Sequence, residues 1–453
     1  AWPNAVNSPD GRWLFVSNYH GYLQEQIYYR DERKRDFGLR PLLTDSAYLY
    51  DIIPLNDRFF IRTNEGAGRF RVMSATYDHP EREYWKEVVP ESRGTINSVL
   101  AIGNRLIVNR LENAYSHITL YAFDGSSPQE LALPTLGTAE SFAGEWSGHE
   151  LFFYFSSYTV PPSLLRYDLT TNQLTEMDRM KLNYSFTDFE TKQVWFNSKD
   201  GTPVSMFIVA PKGTKLDGTN PVLLNGYGGF RSSDTPIFSR KTAVWLLHGG
   251  IYVDVNLRGG GEYGDAWHKA GILEKKQNVF DDFIAAAEYL IKEKYTSTEK
   301  LAIYGGSNGG LLIGAVITQR PDLYAAAVCD VPLLDMIRYD RFQLAKLWNS
   351  EYGSADDSTQ FAFLYKYSPY HNVHKGTKYP AVLFKAGESD SRVDPMHARK
   401  MAALMQASTG SDKPIFLRVD SKSGHGQGKP TAKVAEEIVD EYCFLFQALG
   451  LRL

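Results

Sequence analysis

The fold of this chain is decided by one stretch, Leu301-Ala302-Ile303-Tyr304-Gly305-Gly306-Ser307-Asn308-Gly309-Gly310-Leu311-Leu312. Its first four residues are apolar enough to predict a short buried strand. A Gly-x-Ser-x-Gly turn follows at once, and apolar residues then recur at helical spacing as far as Ile317. The stretch therefore predicts a strand, a tight turn and a helix, with Ser307 at the turn.

The glycines around Ser307 have a chemical reason. We expect the backbone of the serine to be strained, and the elements beside it to pack too closely for side chains at Gly305 and Gly309. Ser307 Oγ would then stand at the top of a sheet, with the backbone N–H of Asn308 pointing to a developing oxyanion. These are the features of the nucleophile elbow of an α/β-hydrolase. A Gly-rich turn with an incidental serine is the alternative, so the partners of the serine must decide between them.

The composition suits a globular chain and gives no sign of polyanion binding. With 453 residues, we expect two or three domains. The net charge of −4 and the lack of a long apolar run argue against nucleic acid and membrane partners. Two cysteines, Cys329 and Cys443, cannot form a disulfide framework, and both are expected to be reduced core residues. The first residues are no signal peptide, so we expect a cytoplasmic location, or a periplasmic or secreted one if an N-terminal segment is missing.

Residues 1–185 contain a β-rich repeat. Apolar runs begin at the anchors Arg12, Arg58, Arg105 and Glu150, which are 46, 47 and 45 residues apart, and a second apolar run follows each. A β-strand repeat of this length is typical of a propeller blade. We therefore expect an all-β propeller-type domain that is partial, with about four blade repeats from the C-terminal part of a larger propeller. Generic β-sandwich patterning is the alternative.

From residue 186 to residue 453 the pattern changes to alternating strands and helices. This alternation predicts an α/β-hydrolase catalytic domain, with a mostly parallel sheet, helices on both faces, and the active site at the carboxyl ends of the strands. The expected strands are Val194–Ser198, Val204–Ala210, Val222–Leu224, Ile251–Val255, Leu301–Tyr304, Tyr324–Cys329, Ala381–Lys385 and Ile415–Val419. The expected helices are Val279–Ile291, Met396–Ala407 and Thr431–Leu449.

The partners of Ser307 are sought downstream, because an α/β-hydrolase orders its triad as serine, acid, histidine. Asp390 is our choice of acid, on the loop after Ala381–Lys385; Glu388 lies nearer the strand, and Asp394 is placed to cap the next helix. His425 lies between two glycines on the loop after the last strand, which suits the general base. His425 would take the proton from Ser307, and Asp390 would orient the imidazole.

A second oxyanion donor is expected on the loop after Val222–Leu224. Tyr227 lies there between glycines, so its phenol O–H can act beside the N–H of Asn308. Its alternative role is to pack the core as a loop aromatic. No cofactor and no metal are expected, since the pair His371 and His374 has no apparent third ligand.

The second domain resembles the prolyl oligopeptidase family of serine peptidases. The segments that carry the resemblance are Asn225-Gly226-Tyr227-Gly228-Gly229-Phe230, Arg258-Gly259-Gly260-Gly261-Glu262-Tyr263-Gly264, Gly305-Gly306-Ser307-Asn308-Gly309-Gly310, Asp390-Ser391-Arg392-Val393 and Gly424-His425-Gly426-Gln427-Gly428-Lys429-Pro430. The repeat half resembles the propeller of that family more weakly. The resemblance implies cleavage of short proline-containing peptides on the carboxyl side of proline, with the propeller restricting access. It also implies the triad Ser307, Asp390 and His425, and the oxyanion hole of Tyr227 and Asn308.

The resemblance further implies a pocket for the proline ring. Trp348 matches the aromatic that stacks on the ring, and Tyr352, Phe230 and Val393 would help to line the pocket. A flat apolar slot suits a residue that has no amide N–H to satisfy. Arg392 would hold a substrate carbonyl near the proline. Ordinary core packing for Trp348 and a salt bridge for Arg392 are the alternatives.

Other functions stay open on the same residues. An oligopeptidase B-like enzyme cuts after Arg or Lys, and the elbow that resembles that branch reads Gly-Gly-Ser-Ala-Gly-Gly. Asn308 in the elbow and Trp348 favour the proline branch instead. An esterase, or a catalytically idle binding protein, is also possible on this scaffold. Family members usually have an N-terminal segment and a seven-bladed propeller. A separate N-terminal portion that completes the propeller is therefore a further expected partner.

Overall fold

The computed structural model describes residues 2–20, 24–34, 38–44, 47–426 and 428–451. The chain separates into two compact units. The first contains residues 1–184 with the short segments 235–238 and 261–266, and the second contains residues 185–234, 239–260 and 267–453. The predicted boundary after residue 185 stays a prediction. No helix in the described part of the chain is long and apolar enough to cross a lipid bilayer.

The first unit is built from four-stranded antiparallel sheets. Within the described residues the strands form four such sheets, and each sheet joins strands that follow one another in the chain. The strands are β1 (Trp2–Asn7), β2 (Trp13–His20), β3 (Gln24–Asp31), β4 (Arg40–Leu43), β5 (Tyr50–Pro54), β6 (Arg58–Thr63), β7 (Arg71–Thr76), β8 (Lys86–Val89), β9 (Thr95–Ile102), β10 (Arg105–Glu112), β11 (Tyr115–Ala122), β12 (Gln129–Leu131), β13 (Thr138–Ala143), β14 (Glu150–Ser157), β15 (Val160–Asp168) and β16 (Gln173–Arg179).

Neighbouring sheets of this unit share their hydrophobic cores. Phe15 and Ile27 of the first sheet pack with Phe59 and Ile61 of the second. The same second sheet buries other residues against the third, and the third sheet packs in turn against the fourth. Sheets that stack face to face on their sequence neighbours form a propeller, so this part of the fold prediction is confirmed.

The repeat anchors mark equivalent positions in the four sheets. Arg58, Arg105 and Glu150 each begin the second strand of a sheet, and Arg12 directly precedes one. The second apolar run of each repeat forms the third strand, which pairs with the second as an antiparallel hairpin. The spacing of about 45 residues therefore reflects one sheet per repeat.

The second unit contains an eight-stranded mixed sheet in the order β17-β18-β20-β19-β21-β22-β23-β24. The strands β19 to β24 pair in parallel, whereas β17 and β18 are antiparallel. A mostly parallel sheet was predicted, and it is confirmed. The strands are β17 (Phe189–Asn197), β18 (Pro203–Pro211), β19 (Val222–Gly226), β20 (Ile251–Val255), β21 (Leu301–Gly306), β22 (Ala326–Asp330), β23 (Ala381–Gly387) and β24 (Ile415–Asp420).

Helices cover both faces of this sheet. The α-helices of the described residues are α1 (Arg240–Leu247), α2 (Asp265–Lys269), α3 (Gln277–Lys292), α4 (Asn308–Gln319), α5 (Asn349–Tyr352), α6 (Ser358–Tyr367), α7 (Met396–Ser408) and α8 (Thr431–Leu449). Short 3-10 helices span Arg82–Tyr84, Leu273–Lys275, Pro321–Leu323, Tyr339–Arg341, Ala345–Trp348 and Pro369–Asn372.

Two adjacent residues of β22 show the two faces. Cys329 Sγ lies 3.2 Å from the carbonyl oxygen of Gly310 in α4. Asp330 points the other way and bonds to Tyr304, whose ring lies under the ammonium of Lys241 in α1. Successive side chains of a strand point to opposite faces, so α4 and α1 cover different sides of the sheet.

Several details differ from the sequence predictions, and the short helices α2 and α5 are among those that were not predicted. Helices α1 and α6 were not predicted, although Ser239 and Asp357 cap their N-termini by accepting backbone N–H bonds. Cys329 is buried as expected, but the prediction of a core position for Cys443 was wrong. Cys443 lies on the exposed side of α8, because the adjacent apolar residues Tyr442 and Phe444 already face the core.

Candidate active site

The elbow around Ser307 has the strain that its sequence predicts. Ser307 has φ of 59° and ψ of −115°, a region that L-residues rarely occupy. A Cβ atom built on Gly305 would lie 2.3 Å from the carbonyl oxygen of Gly309, and one built on Gly309 would lie 2.8 Å from that of Gly226. The turn is further held by the N–H of Ser307, which donates to the carbonyl of Asp330 at 2.8 Å. The half-buried Ser307 is thus fixed at the carboxyl end of β21.

Asp390 is held by its own loop. The loop follows β23, and Asp390 Oδ1 accepts hydrogen bonds from the backbone N–H groups of Arg392 and Val393, both at 2.9 Å. The side chain is only 2% exposed. Burial opposes its charge, but the hydrogen bond from His425 and the two backbone donors hold the pKa of the Asp390 carboxyl below its ordinary value. Asp390 is therefore ionised at neutral pH.

His425 meets Asp390 from the loop after β24. Its Nδ1 lies 2.6 Å from Asp390 Oδ2. With the carboxylate as acceptor, Nδ1 carries the proton and donates it. His425 Nε2 is buried and has no hydrogen-bond partner among the described residues. The imidazole therefore presents a free lone pair, as a general base requires.

The other candidate acids and histidines have different partners. Glu388 is exposed and accepts a bond from the backbone of Lys422. Asp394 accepts from the N–H of Met396, the first residue of α7, although the N-cap position of that helix is Pro395 and not Asp394 as expected. His397 is 2% exposed, and its Nδ1 accepts backbone N–H bonds from the 334–335 loop. The structure brings Asp390 and His425 together and leaves these groups elsewhere.

The strand order brings these loops to one edge of the sheet. Ser307 follows β21, and β22 separates β21 from β23. Asp390 follows β23, and His425 follows the adjacent β24. All of these strands are parallel, so their carboxyl ends lie at the same edge. Tyr227 follows β19, which pairs with β21 on its other side.

The side chain of Asn308 joins the predicted oxyanion loop to the predicted pocket. Its Nδ2 donates to the carbonyl of Tyr227 at 2.5 Å. Its Oδ1 accepts from the phenol of Tyr352 at 2.8 Å. Burial raises the pKa of Tyr352 well above its ordinary value, so that phenol stays a donor. Tyr227 itself is half-buried.

The aromatic residues predicted for the proline pocket lie together. Phe230 meets Trp348 edge to face, with ring centroids 6.5 Å apart, and meets Tyr352 in the same way at 5.5 Å. Trp348 is 7% exposed and Tyr352 is fully buried, whereas Phe230 is half-buried. Such an aromatic cluster has the apolar, rigid walls that a ring-shaped ligand group needs.

The last two predicted site residues flank Asp390. Val393 is 3% exposed, and its N–H is one of the two donors to the Asp390 carboxylate. The side chain of Arg392 is exposed, and within the described residues its guanidinium has no ion-pair partner. The alternative role of Arg392 as a local salt bridge therefore has no contact in its support.

Sequence reasoning missed a group of buried charges beside this site. His268, Lys276 and Glu351 are each at most 2% exposed, and both His268 and Lys276 contact Glu351 in the second unit. They are separated by up to 83 residues in the chain. A buried Lys so far from its carboxylate leaves no local pattern, so the sequence carried no signal for this group except the position of Glu351 next to Tyr352.

Two protein-family models match this chain. The model described as "Prolyl oligopeptidase family" matches residues 236–452. The model described as "Prolyl oligopeptidase, N-terminal beta-propeller domain" matches residues 4–179. The two matches fall on the mixed sheet and on the stacked four-stranded sheets.

Individual relatives match along nearly the whole chain. The prolyl endopeptidase of Elizabethkingia miricola is 37% identical over 446 residues, which are 98% of this chain and 63% of that protein. The prolyl endopeptidase of Dictyostelium discoideum is 38% identical over 425 residues, 90% of this chain and 56% of that protein. The chain thus spans less than two thirds of the length of these relatives.

Solved structures share the fold. A structure from a structural and mechanistic analysis of two prolyl endopeptidases has a TM-score of 0.95 and 42% identity, covering 100% of this chain and 66% of that one. Prolyl oligopeptidase B from Galerina marginata has a TM-score of 0.93 and 33% identity, again with 100% and 66% coverage. From its motifs, its fold and these matches, the chain belongs to the prolyl oligopeptidase family.

Proposed function

We propose that this chain is a serine peptidase that hydrolyses short peptides on the carboxyl side of proline, through an acyl-enzyme. The observation that carries the proposal is the 2.6 Å contact between Asp390 and His425, with His425 Nε2 left without a partner among the described residues and the strained Ser307 at the same edge of the sheet. The relatives named prolyl endopeptidase support the substrate class.

The proposed reaction divides the work among three side chains. His425 Nε2 takes the proton of Ser307 Oγ as the oxygen attacks the scissile carbonyl. Asp390 holds the imidazole in the Nδ1–H tautomer and stabilises the imidazolium that forms. His425 then gives the proton to the leaving amine, and a water molecule hydrolyses the acyl-enzyme by the same route.

The developing negative charge would be stabilised by two donors. The phenol of Tyr227 and the backbone N–H of Asn308 are proposed to form the oxyanion hole. Such preorganised donors act most strongly on the charge that appears in the transition state. The Asn308 amide supports this arrangement, because it fixes the carbonyl of Tyr227 at 2.5 Å.

Specificity for proline would come from the aromatic cluster. We propose that the ring stacks on Trp348, with Phe230, Tyr352 and Val393 as the remaining walls. The exposed guanidinium of Arg392 would donate a hydrogen bond to the carbonyl that precedes the proline. A proline ring buries apolar surface there without leaving an amide N–H unsatisfied.

The test compares three blocked fluorogenic amides, Gly-Pro, Gly-Arg and Gly-Ala, with a Ser307→Ala chain as the control. We expect fast release after proline and none from the control. Release after arginine alone would refute the proposed stacking of the proline ring on Trp348 and favour the oligopeptidase B-like alternative. Hydrolysis of simple esters without any amide hydrolysis would favour an esterase. No reaction of Ser307 with a fluorophosphonate would favour the idle binding protein.

The partner and compartment remain proposals as well. Short proline-containing peptides are the proposed substrates, and a separate N-terminal portion that completes the propeller stays a prediction. It would be tested by adding that portion as a second polypeptide and measuring the amide activity. We propose the cytoplasm as the compartment, since Cys443 is an exposed free thiol of the kind that reducing compartments preserve.

A further inference from the structure

Three buried titratable residues form a cluster behind the proposed active site, and we name it the Lys276 cluster. His268, Lys276 and Glu351 are 1%, 1% and 2% exposed. His268 Nε2 lies 2.9 Å from Glu351 Oε2, and Lys276 Nζ lies 3.5 Å from Glu351 Oε1. Nothing in the triad mechanism uses these groups, so their place in the core calls for a separate explanation.

The cluster holds the loop that carries Tyr227. Lys276 Nζ donates to the carbonyl of Gly228 at 2.9 Å. Glu351 Oε1 accepts the N–H of Phe230 at 3.0 Å. Together with the bond from Asn308 to the carbonyl of Tyr227, three buried side chains fix the backbone of this four-residue loop.

The loop needs such support because its backbone is strained. Gly228 has φ of 62°, and Phe230 and Arg231 both have φ of 56°. Residues with a side chain in this region cost on the order of 1 kcal/mol or more, and they persist only where the surroundings impose the conformation. The bonds from Lys276 and Glu351 lie on either side of Gly229 and provide that constraint.

The same cluster reaches the proposed proline pocket. Glu351 lies in α5, directly before Tyr352 and three residues after Trp348. The ammonium of Lys276 lies 5.3 Å from the centre of the Tyr352 ring. Helix α5 thus carries both Tyr352 of the proposed pocket and Glu351, which accepts the N–H of Phe230. A movement of this helix at the pocket would therefore also move the Glu351 carboxylate that holds the Tyr227 loop.

In the Lys276 cluster, burial and the neighbouring charges act on the pKa values in opposite directions. Burial works against the charge of Glu351, but the hydrogen bond from His268 and the charge of Lys276 bring its pKa below the ordinary carboxyl value. Burial lowers the pKa of Lys276, and Glu351 opposes that effect. His268 Nδ1 is buried with no partner among the described residues, whereas Nε2 is placed to donate to the Glu351 carboxylate. The 3.5 Å separation of Lys276 Nζ and Glu351 Oε1 is that of an ion pair.

A buried ion pair of this kind is a poor device for stability alone. Apolar side chains of similar volume often serve the fold as well or better. What they cannot do is donate to the Gly228 carbonyl and accept from the Phe230 N–H at the same time. The cluster therefore has a reason in geometry rather than in bulk stability.

We propose that Lys276 and Glu351 are positioning residues for the oxyanion hole, which hold the Tyr227 phenol in place and link it to the proline pocket through α5. His268 keeps Glu351 in its rotamer. This inference rests on the proposed function in one respect, the role of Tyr227 as an oxyanion donor.

The first test uses Lys276→Met, which keeps the length of the side chain and removes the donor. We measure the rate at which a fluorophosphonate labels Ser307, and kcat and KM on the blocked Gly-Pro amide. A displaced oxyanion donor predicts a fall in labelling rate and kcat of about 10- to 100-fold, with KM changed less than about threefold. The proposal is overturned if KM rises by the same factor as kcat falls, or if neither the labelling rate nor kcat falls.

The second test combines Lys276→Met with Tyr227→Phe. If Lys276 acts through the Tyr227 phenol, adding Lys276→Met to the Tyr227→Phe chain should reduce kcat by less than about threefold. The reason is that the effects of two residues that act as one unit do not add. If the two effects multiply in full, Lys276 does not act through Tyr227 and the proposal fails.

A third test separates positioning from folding, because Lys276→Met leaves Glu351 as an unpaired buried charge. The double variant Lys276→Met/Glu351→Gln restores neutrality. We expect it to recover the melting temperature but not the labelling rate; recovery of both would make the cluster merely structural. Lys400→Met is the matched control, since it takes an ammonium from the buried carboxylate of Asp335 elsewhere in the unit. It should lower stability without changing the labelling rate.

The failure of this inference can be told from the failure of the proposed function. Labelling by a fluorophosphonate needs the serine, the base and the oxyanion hole, but no proline pocket. If the unaltered chain is not labelled, the proposed chemistry is wrong, and the inference falls with it. If it is labelled and the Lys276→Met chain is labelled equally fast, the inference alone is wrong.

Discussion

Two adjacent glycines of the elbow offer the sharpest test of the close-packing argument, because they differ only in their surroundings. A Cβ atom on Gly305 would lie 2.3 Å from the carbonyl oxygen of Gly309 and 2.9 Å from Ile313 Cγ1. A Cβ atom on Gly306 would meet nothing nearer than the Tyr304 hydroxyl at 3.7 Å. To restore even a tight contact of 3.0 to 3.4 Å, the backbone beside an alanine at position 305 must move by about 0.7 to 1.1 Å.

The two substitutions should therefore behave differently. Overpacking of this size costs typically about 1–3 kcal/mol of folding free energy, and a shift near 1 Å at a reacting group lowers the rate by about 100-fold. We expect Gly305→Ala to lose at least that much in the rate of Ser307 labelling, while Gly306→Ala stays within about threefold of the unaltered chain and within about 0.5 kcal/mol in stability. Rates and urea unfolding curves of the two variants would be measured side by side. Equal behaviour of the two would refute the reasoning from the Gly309 contact.

Further expectations follow from the partners of buried groups. Asp390→Asn keeps an acceptor for the two backbone N–H groups but places an amide donor against His425. We therefore expect kcat on the Gly-Pro amide to fall by about 10⁴-fold, with little change in the melting temperature. A loss in kcat below tenfold would contradict the assigned tautomer of His425. Burial lowers the pKa of His397 to about 4, so between pH 6.5 and pH 4 the unfolded chain binds a proton that the native residue does not. The free energy of unfolding should therefore fall by about 3 kcal/mol as the pH is lowered from 6.5 to 4. His397→Asn should flatten that slope in urea titrations at several pH values, and an unchanged slope would exclude His397 as its source. Arg258→Met leaves the buried carboxylate of Asp282 unpaired and should cost about 3–5 kcal/mol in chemical unfolding, whereas a cost under 1 kcal/mol would show that Asp282 is protonated in the folded chain.

The features that the sequence predicted well are those encoded within short windows. The elbow needs only a strand, a turn and a helix in adjacent residues, and the observed β21 and α4 meet at Ser307 as expected. Helix α8 was predicted over the same residues that it occupies, because its apolar positions recur at helical spacing. The propeller repeat was visible because each sheet restates the same strand pattern at nearly constant spacing.

Features that depend on distant residues were not predictable in this way. Helix α6 has a weak apolar stripe, and its Asp357 cap could not be told from an ordinary turn residue. The pairing of Lys276 with Glu351 spans 75 residues and depends on how α5 packs beside the Tyr227 loop. The exposure of Cys443 likewise depends on which side of α8 faces the sheet, a choice set by tertiary packing and not by local composition.

The order of the strands in the mixed sheet has a consequence for the newly made chain. Ser307 follows β21, whereas His425 follows β24, the last strand of the sheet in chain order. The chain is synthesised from its N-terminus, whereas a domain generally folds as a unit. A nascent chain that has not reached β24 holds the proposed nucleophile without its proposed base, so the proposed triad is complete only once β24 pairs with β23. The strand order would thus delay the proposed peptide cleavage until the whole sheet has formed.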